Sequence, residues 1–233
     1  GWETHLNSPG KDLPPLGLNN DPSGVYSVVE LNGAPVVRIS GETFGAMTTK
    51  EEFENYHFRI EFKWGVQRWP PREKAPRDSG ILYHCRGPQG AVFGSWMKSL
   101  ECQIMEGFCG DLYNISGGAV DFEGAAKGPD LLYKKGGRKY ALSSFCSRAA
   151  REKNWEKPHG EWNVMEVICL GGTSVHVVNG HRNMIATNLR PLGEGREPVP
   201  ARGRIQLQSE GAEIFYRNAE IRPISEIQKQ YLE

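Results

Sequence analysis

Apolar and polar residues alternate strictly along YHFRIEFKW, Tyr56–Trp64: Phe58, Ile60, Phe62 and Trp64 fall in one phase, His57, Arg59, Glu61 and Lys63 in the other. A period of two predicts a strand with one buried face. The same rhythm returns in GILYHCRG (Gly80–Gly87), SLECQIMEG (Ser99–Gly107), RIQLQS (Arg204–Ser209) and EIFYRNAEIRPI (Glu213–Ile224). WNVMEVICL and TSVHVVNG flank a Gly171-Gly172 pair, and GVYSVVELNG and APVVRISG join at Asn32-Gly33, both hairpin signals. Only the tail, Ser225–Glu233, reads as helical, with Ser225 placed to cap it. Many short alternating strands and almost no helix predict an all-β sandwich. It forms a single domain over residues 25–233, after an extended N-terminal segment, residues 1–24. Long polar connections are expected over 65–78, 117–159 and 182–202, the first a stiff basic-aromatic segment with Arg68, Trp69, Pro70, Pro71, Arg72 and Lys74.

Charge narrows the partners. Lys plus Arg and Asp plus Glu number 28 each, so no net field draws the chain to nucleic acid or to an anionic membrane. No apolar run approaches the roughly 20 residues a spanning helix needs. Five cysteines without a C-x-x-C pair argue against zinc; Cys85, Cys102 and Cys169 lie in apolar strands, and Cys109 with Cys146 is the pairing a single disulfide would use.

The candidate chemistry sits on SLECQIMEG. Glu101, Gln103 and Met105 share one face of that strand, and Leu100, Cys102 and Ile104 the other. Glu106 falls in the apolar phase unless a β-bulge near Met105 turns it onto the face of Glu101 and Gln103. Two carboxyls so placed suit sugar chemistry without selecting a mechanism, because retaining and inverting glycosidases separate theirs by about 5–5.5 Å and about 6.5–9.5 Å. His84 and Arg86 share a phase of their strand, and Gln206 and Gln208 share the phase of Arg204. Trp96, just before the Glu101 strand, is placed to stack on a sugar ring, whereas Trp64 and Trp162 read as core.

Taken together, YHFRIEFKW, DSGILYHC (Asp78–Cys85), SLECQIMEG, GEWNVMEVICLGGTSVHVVNG (Gly160–Gly180) and GRIQLQSEGAEIFYRNAEIRPI (Gly203–Ile224) resemble the 3-keto-disaccharide hydrolase domain family, in the order of its segments, over roughly Val25 to Ile224. Asp78 stands where many members have Asn, and Tyr216 where Phe is usual. The resemblance implies a jelly-roll sandwich similar to laminarinases and concanavalin-type lectins, in a periplasmic or extracellular protein of a carbohydrate-degrading bacterium. In laminarinase-like enzymes an E-x-D-x-x-E strand supplies nucleophile, assisting Asp and general acid. Gln103 replaces the central Asp here, and Gln cannot ionise.

Keto-sugar chemistry asks for other parts. An oxidised C3 acidifies the C2 proton; a base removes it, the enolate expels the group at C1, and water adds to the enone. Glu101 and Glu106 are the expected base and acid, with His84 a second base candidate. Arg86 or Arg204 would stabilise the enolate, as a divalent cation could, although no motif calls for a metal or other cofactor. Gln103, Gln206 and Gln208 would bind hydroxyls. The expected partner is a saccharide or its 3-keto-glycoside. The competing expectations are an ordinary glycoside hydrolase using Glu101 and Glu106, and a non-catalytic carbohydrate-binding module.

Overall fold

The alternation of Tyr56–Trp64 becomes the longest strand of the computed structural model, Tyr56–Arg68, with Phe58, Ile60, Phe62 and Trp64 buried. The structure describes residues 1–193 and 197–233. In chain order the first strands are β1 (Trp2–Leu6), β2 (Gly17–Leu18), β3 (Tyr26–Leu31), β4 (Ala34–Ile39), β5 (Gly45–Thr49) and β6 (Tyr56–Arg68). Next come β7 (Asp78–Arg86), β8 (Lys98–Met105), β9 (Leu112–Ile115), β10 (Ala119–Lys127), β11 (Asp130–Tyr133), β12 (Arg138–Leu142) and β13 (Arg148–Ala149). The chain closes with β14 (Asn163–Leu170), β15 (Thr173–Val178), β16 (His181–Arg190), β17 (Arg204–Ser209), β18 (Ala212–Pro223) and the helix α1 (Lys229–Leu232).

These strands form two antiparallel sheets. The eight-stranded sheet runs β13, β9, β8, β7, β17, β5, β1, β2, and the ten-stranded one β11, β10, β16, β15, β14, β6, β18, β4, β3, with β12 also on β10. The architecture is the expected all-β sandwich. Both expected hairpins are present: Leu31 pairs with Ala34 around Asn32 (φ 54°) and Gly33 (φ 78°), and Leu170 with Thr173 around the two glycines. A positive φ at both central residues, as at Asn32-Gly33, or at the first alone, as at Gly171 (φ 53°), lets a two-residue turn follow strand twist, and Asn and Gly tolerate it best.

Five expectations change in detail. Residues 1–24 contribute β1 and β2, and β1 pairs along its length with β5. Residues 117–159, read as a connection, carry β10 to β13; their charged alternation, as in VDFEGAAK, belongs to a sheet border rather than a loop. The tail is helical only over Lys229–Leu232, with Gln228 at the N-cap and no side-chain cap, so Ser225 does not start it. Cys109 and Cys146 are free thiols, the first buried and the second exposed. The expected connection over 182–202 includes residues outside those described; of the rest, β16 takes up His181–Arg190. Among the described residues, no helix is long and apolar enough to cross a membrane.

The core lies between the sheets, where Phe58, Ile60, Phe62, Met165, Val167 and Ile214 meet Ile81, Tyr83, Leu100, Cys102, Ile104, Ile205 and Leu207. Tyr83 crosses this core, its hydroxyl 2.9 Å from Ser174 Oγ and 3.0 Å from His176 Nε2. Burial lowers the His176 pKa to about 4. Tyr83→Phe leaves two buried polar groups short of a partner and is expected to cost about 1–3 kcal/mol, read from denaturant unfolding.

With the inner face of the eight-stranded sheet given to the core, Gly80, Leu82, Glu101, Gln103, Gln206 and Gln208 point outward. That outer face is not bare. The segment between β7 and β8 folds over it, packing Trp96 and Met97 on Ala46, Leu82 and Cys85.

Candidate active site

Glu101 stands in β8 opposite Leu82 of β7 and Tyr113 of β9, and is 3% exposed. Its carboxyl leans over Gly80. A Cβ on Gly80 would lie 2.1 Å from Glu101 Oε1 and 2.4 Å from Gln208 Oε1, so the missing side chain is what makes room for both. Gln103 pairs with Gly80 across the strands, and Asp78 lies two residues along β7 on the same face, opposite Met105. The four side-chain oxygens Asp78 Oδ1, Glu101 Oε1, Gln103 Oε1 and Gln208 Oε1 are buried without a protein partner. An unmet buried polar group costs about 1–3 kcal/mol, so four on one strip mark a place built to receive hydrogen-bond donors.

The electrostatics match. Burial raises the Glu101 pKa well above the ordinary carboxylate range, and the neighbouring Glu210 and Asp78 raise it further, with Gln208 acting the other way. The surroundings of Glu101 therefore favour the protonated form over the carboxylate. Burial lifts Asp78 to about 7, although Arg72 pulls the other way. Glu210 is raised by burial and by Asp78. Arg72 hydrogen-bonds Asp78 through Nη2 and sits 3.7 Å from Glu210, holding two acids that would otherwise repel.

Glu106 does not join this group. The β7–β8 register runs unbroken from Asp78↔Met105 to Tyr83↔Leu100, so the bulge expected near Met105 is absent. Glu106 lies in the turn after β8, 2.6 Å from Arg77 Nη1 and 3.3 Å from Arg68 Nη2, toward the other sheet. The bulge is in β7 instead: register shifts between Tyr83 and Arg86, around His84 at φ 53°. His84 is buried, its Nδ1 has no partner, and burial together with Arg86 lowers its pKa to about 4. The backbone near it belongs to Ala201 and Gly203, not to the Glu101 strip.

The other expected binding residues divide. Gln103 and Gln208 lie beside Glu101. Gln206 is fully engaged, accepting from Met97 N at 2.9 Å and donating to Thr48 Oγ1 and Gln89 Oε1, each at 2.9 Å. It pins the covering segment. Trp96 is buried, its Nε1 donating to Gly45 O at 3.2 Å, and offers no open platform. Arg204 pairs with Glu3 at 2.5 Å, while Arg86 Nη1 has no partner. Trp162, read as core, is half-buried under the Arg217 guanidinium, 3.9 Å from its ring centroid.

Asp78, Arg72 and Glu210 were not singled out from sequence as site residues. Glu210 lies between β17 and β18, far from Asp78 along the chain, and only the pairing of β17 with β7 brings them together. A hollow of about 470 Å³ on the outer face of the ten-stranded sheet is lined by His57, Arg59, Glu166, Glu220, Arg222 and Tyr231. There His57 is satisfied on both nitrogens, by Glu166 at 2.6 Å and Arg222 at 3.0 Å, so the orphaned oxygens make the Glu101 strip the candidate site. Among the described residues, no group of three or more His, Cys, Asp or Glu is arranged to hold a metal ion.

Comparison with known proteins agrees with this architecture. Residues 1–222 match the family described as the 3-keto-alpha-glucoside-1,2-lyase-like domain. Two solved proteins from Parabacteroides distasonis ATCC 8503, each named a "putative glycosyl hydrolase", share the fold. One is 21% identical over 86% of this chain and 90% of its own, with a TM-score of 0.52. The other is 17% identical over 97% and 89%, with a TM-score of 0.53. The chain matches no curated protein.

Proposed function

Since the chain belongs to the family of 3-keto-α-glucoside-1,2-lyase-like domains, we propose that the Glu101 strip cleaves the glycosidic bond of a 3-keto-glucoside by elimination followed by hydration. The observation that carries this reading is the strip of four buried oxygens around Gly80, one of them on the Glu101 carboxyl, whose proton affinity burial raises. Sugar hydroxyls supply the donors those oxygens lack. Burial raises the proton affinity of both acids.

Asp78 accepts the C2 proton, which the C3 carbonyl has made acidic. The electron pair forms the enolate, and Arg72 brings positive charge beside it. The enolate then expels the group at C1, whose oxygen takes the Glu101 proton and leaves as an alcohol. Water adds to the enone at C1 with the proton transfers reversed: Glu101 accepts from water and Asp78 returns a proton to C2. Both groups recover their starting states. Gln103 and Gln208 hold the ring hydroxyls. Glu106, His84, Arg86 and Arg204 have no part in these steps.

The test is turnover of a glucoside and its 3-keto derivative in D₂O. Release from the keto form alone is expected, with deuterium at C2 of the product at early times to the extent that protonated Asp78 exchanges with solvent before water adds. Release from the unoxidised glucoside would favour direct hydrolysis, and sugar affinity without any release would favour a binding module. A pH profile adds a second check. kcat/KM is expected to rise with pH through about 7 as Asp78 ionises, then fall when Glu101 loses its proton. Because Arg72 lowers the Asp78 pKa, Arg72→Met should move the rising limb to higher pH; an unmoved limb would remove Asp78 as the base.

A further inference from the structure

Two buried nitrogens near the end of β7 take no part in the steps at Glu101. Arg86 closes that strand, half-buried, with Nη1 shut from solvent and without a hydrogen-bond partner. His84, two residues before it, is 2% exposed, and its Nδ1 is equally unpartnered. Among the described residues, Arg86 forms no salt bridge and has no aromatic ring under its guanidinium. Arg38, Arg77, Arg151 and Arg204, also partly buried, each hold a carboxylate. A guanidinium drawn out of water without a counter-charge is destabilising, and no contact within the chain offsets it here.

The surroundings add positive charge. Lys98 is the cross-strand partner of Arg86, and like charges directly opposite repel. Arg204 pairs with Cys85 on the next strand, and the Arg86 and Arg204 charges both act on that thiol. The acids on neighbouring segments are taken: Glu3 by Arg204 at 2.5 Å and Gln89 at 3.2 Å, Glu52 by Arg202 at 3.2 Å. Backbone holds the arrangement in place. The β7 bulge lies at His84, and the 201–203 segment presses on it so closely that a Cβ on Gly203 would lie 2.6 Å from the His84 carbonyl carbon. Burial and the Arg86 charge lower the His84 pKa to about 4, so the ring is neutral. It donates to the Ala201 backbone, and because Nδ1 has no partner the donor is Nε2. Nδ1 is therefore a bare acceptor beside two cations.

We propose that Arg86, Lys98 and His84 form a phosphate-binding site at this end of the eight-stranded sheet. The guanidinium and the ammonium supply the charge and the donors that phosphate oxygens take. Nδ1 asks for something more, a ligand that also brings a hydrogen. A phosphate monoester, with a second pKa of about 6, keeps an O–H on half of its molecules at about pH 6. Sulfate and carboxylate groups are ionised there and offer Nδ1 nothing. The site does not depend on the chemistry proposed at Glu101.

Calorimetric titration of the intact chain at about pH 6 and constant ionic strength, with inorganic phosphate, sulfate and glucose 6-phosphate, tests it. Phosphate is expected to bind about tenfold more tightly than sulfate. Arg86→Met should weaken phosphate binding by about tenfold or more, and Lys98→Met by about threefold. Lys98 is exposed, so its replacement leaves the bulge intact and keeps the test decisive even where Arg86→Met does not fold. In the parent, the ring ¹⁵N resonance of His84 Nδ1 should move on addition of phosphate. Tighter binding of glucose 6-phosphate assigns the group to a sugar ester and tighter binding of inorganic phosphate to the free ion; both keep the site. Absence of phosphate binding, equal affinity for sulfate, an unmoved Nδ1 resonance, or affinity unchanged in both variants overturns it.

Discussion

Glu101→Gln is expected to lower kcat for a 3-keto-glucoside by about 10²–10⁴-fold, the range a general acid contributes. The substitution keeps shape and removes only the transferable proton, so KM should change far less than kcat. Stability gives an independent readout. The folded-state pKa of Glu101 lies above its unfolded value of about 4.3, so the folded chain holds a proton that the unfolded chain has released. The parent therefore loses stability as pH rises from that unfolded value toward the folded one. Gln cannot ionise, so the variant should decline less over the same window and become the more stable protein at its alkaline end. Denaturant midpoints across pH would show the two curves diverging upward. Curves that stay parallel would mean Glu101 ionises freely in the fold, and the acid would have to be sought elsewhere.

That assignment shows where sequence reasoning succeeds and where it stops. Alternation exposed the strands of the core because a period of two is a local property: Phe58, Ile60 and Phe62 announce their face within five residues. It also placed Glu101 and Gln103 correctly together. It could not place Glu106, since one inserted residue would reverse the side chains beyond it and the rhythm of a strand does not show whether one is inserted; none precedes Glu106, and the bulge lies at His84 in the neighbouring strand instead. Nothing about a histidine signals a positive φ there as a glycine would. Arg72, Asp78 and Glu210 were beyond reach for another reason. Their meeting depends on β7 and β17 being neighbours, a long-range pairing that no window along the chain contains. The strands over 119–142 were missed because they end the sheet, where one face stays wet and charged residues weaken the rhythm.

Gly80→Ala is expected to abolish turnover as thoroughly as Glu101→Gln, with almost no loss of stability. Gly80 lies in mid-strand, and its φ is not in the left-handed region, so alanine fits the backbone and should even regain about 0.5–1 kcal/mol of chain entropy. What alanine cannot do is share the space. Its Cβ would fall 2.1 Å from Glu101 Oε1 and 3.0 Å from the carboxyl carbon, besides 2.4 Å from Gln208 Oε1. These are ends of side chains, able to swing aside, so the methyl displaces the acid from its place without breaking the sheet. The two substitutions should then be redundant. If Glu101 acts from above Gly80, the double variant is no slower than either single one, because each has already removed the same proton transfer. Losses that multiply would show that Gly80 and Glu101 serve separate steps. A Gly80→Ala protein with activity within about twofold of the parent would show that the carboxyl does not need the position over the glycine, and the site built on that contact would fall with it.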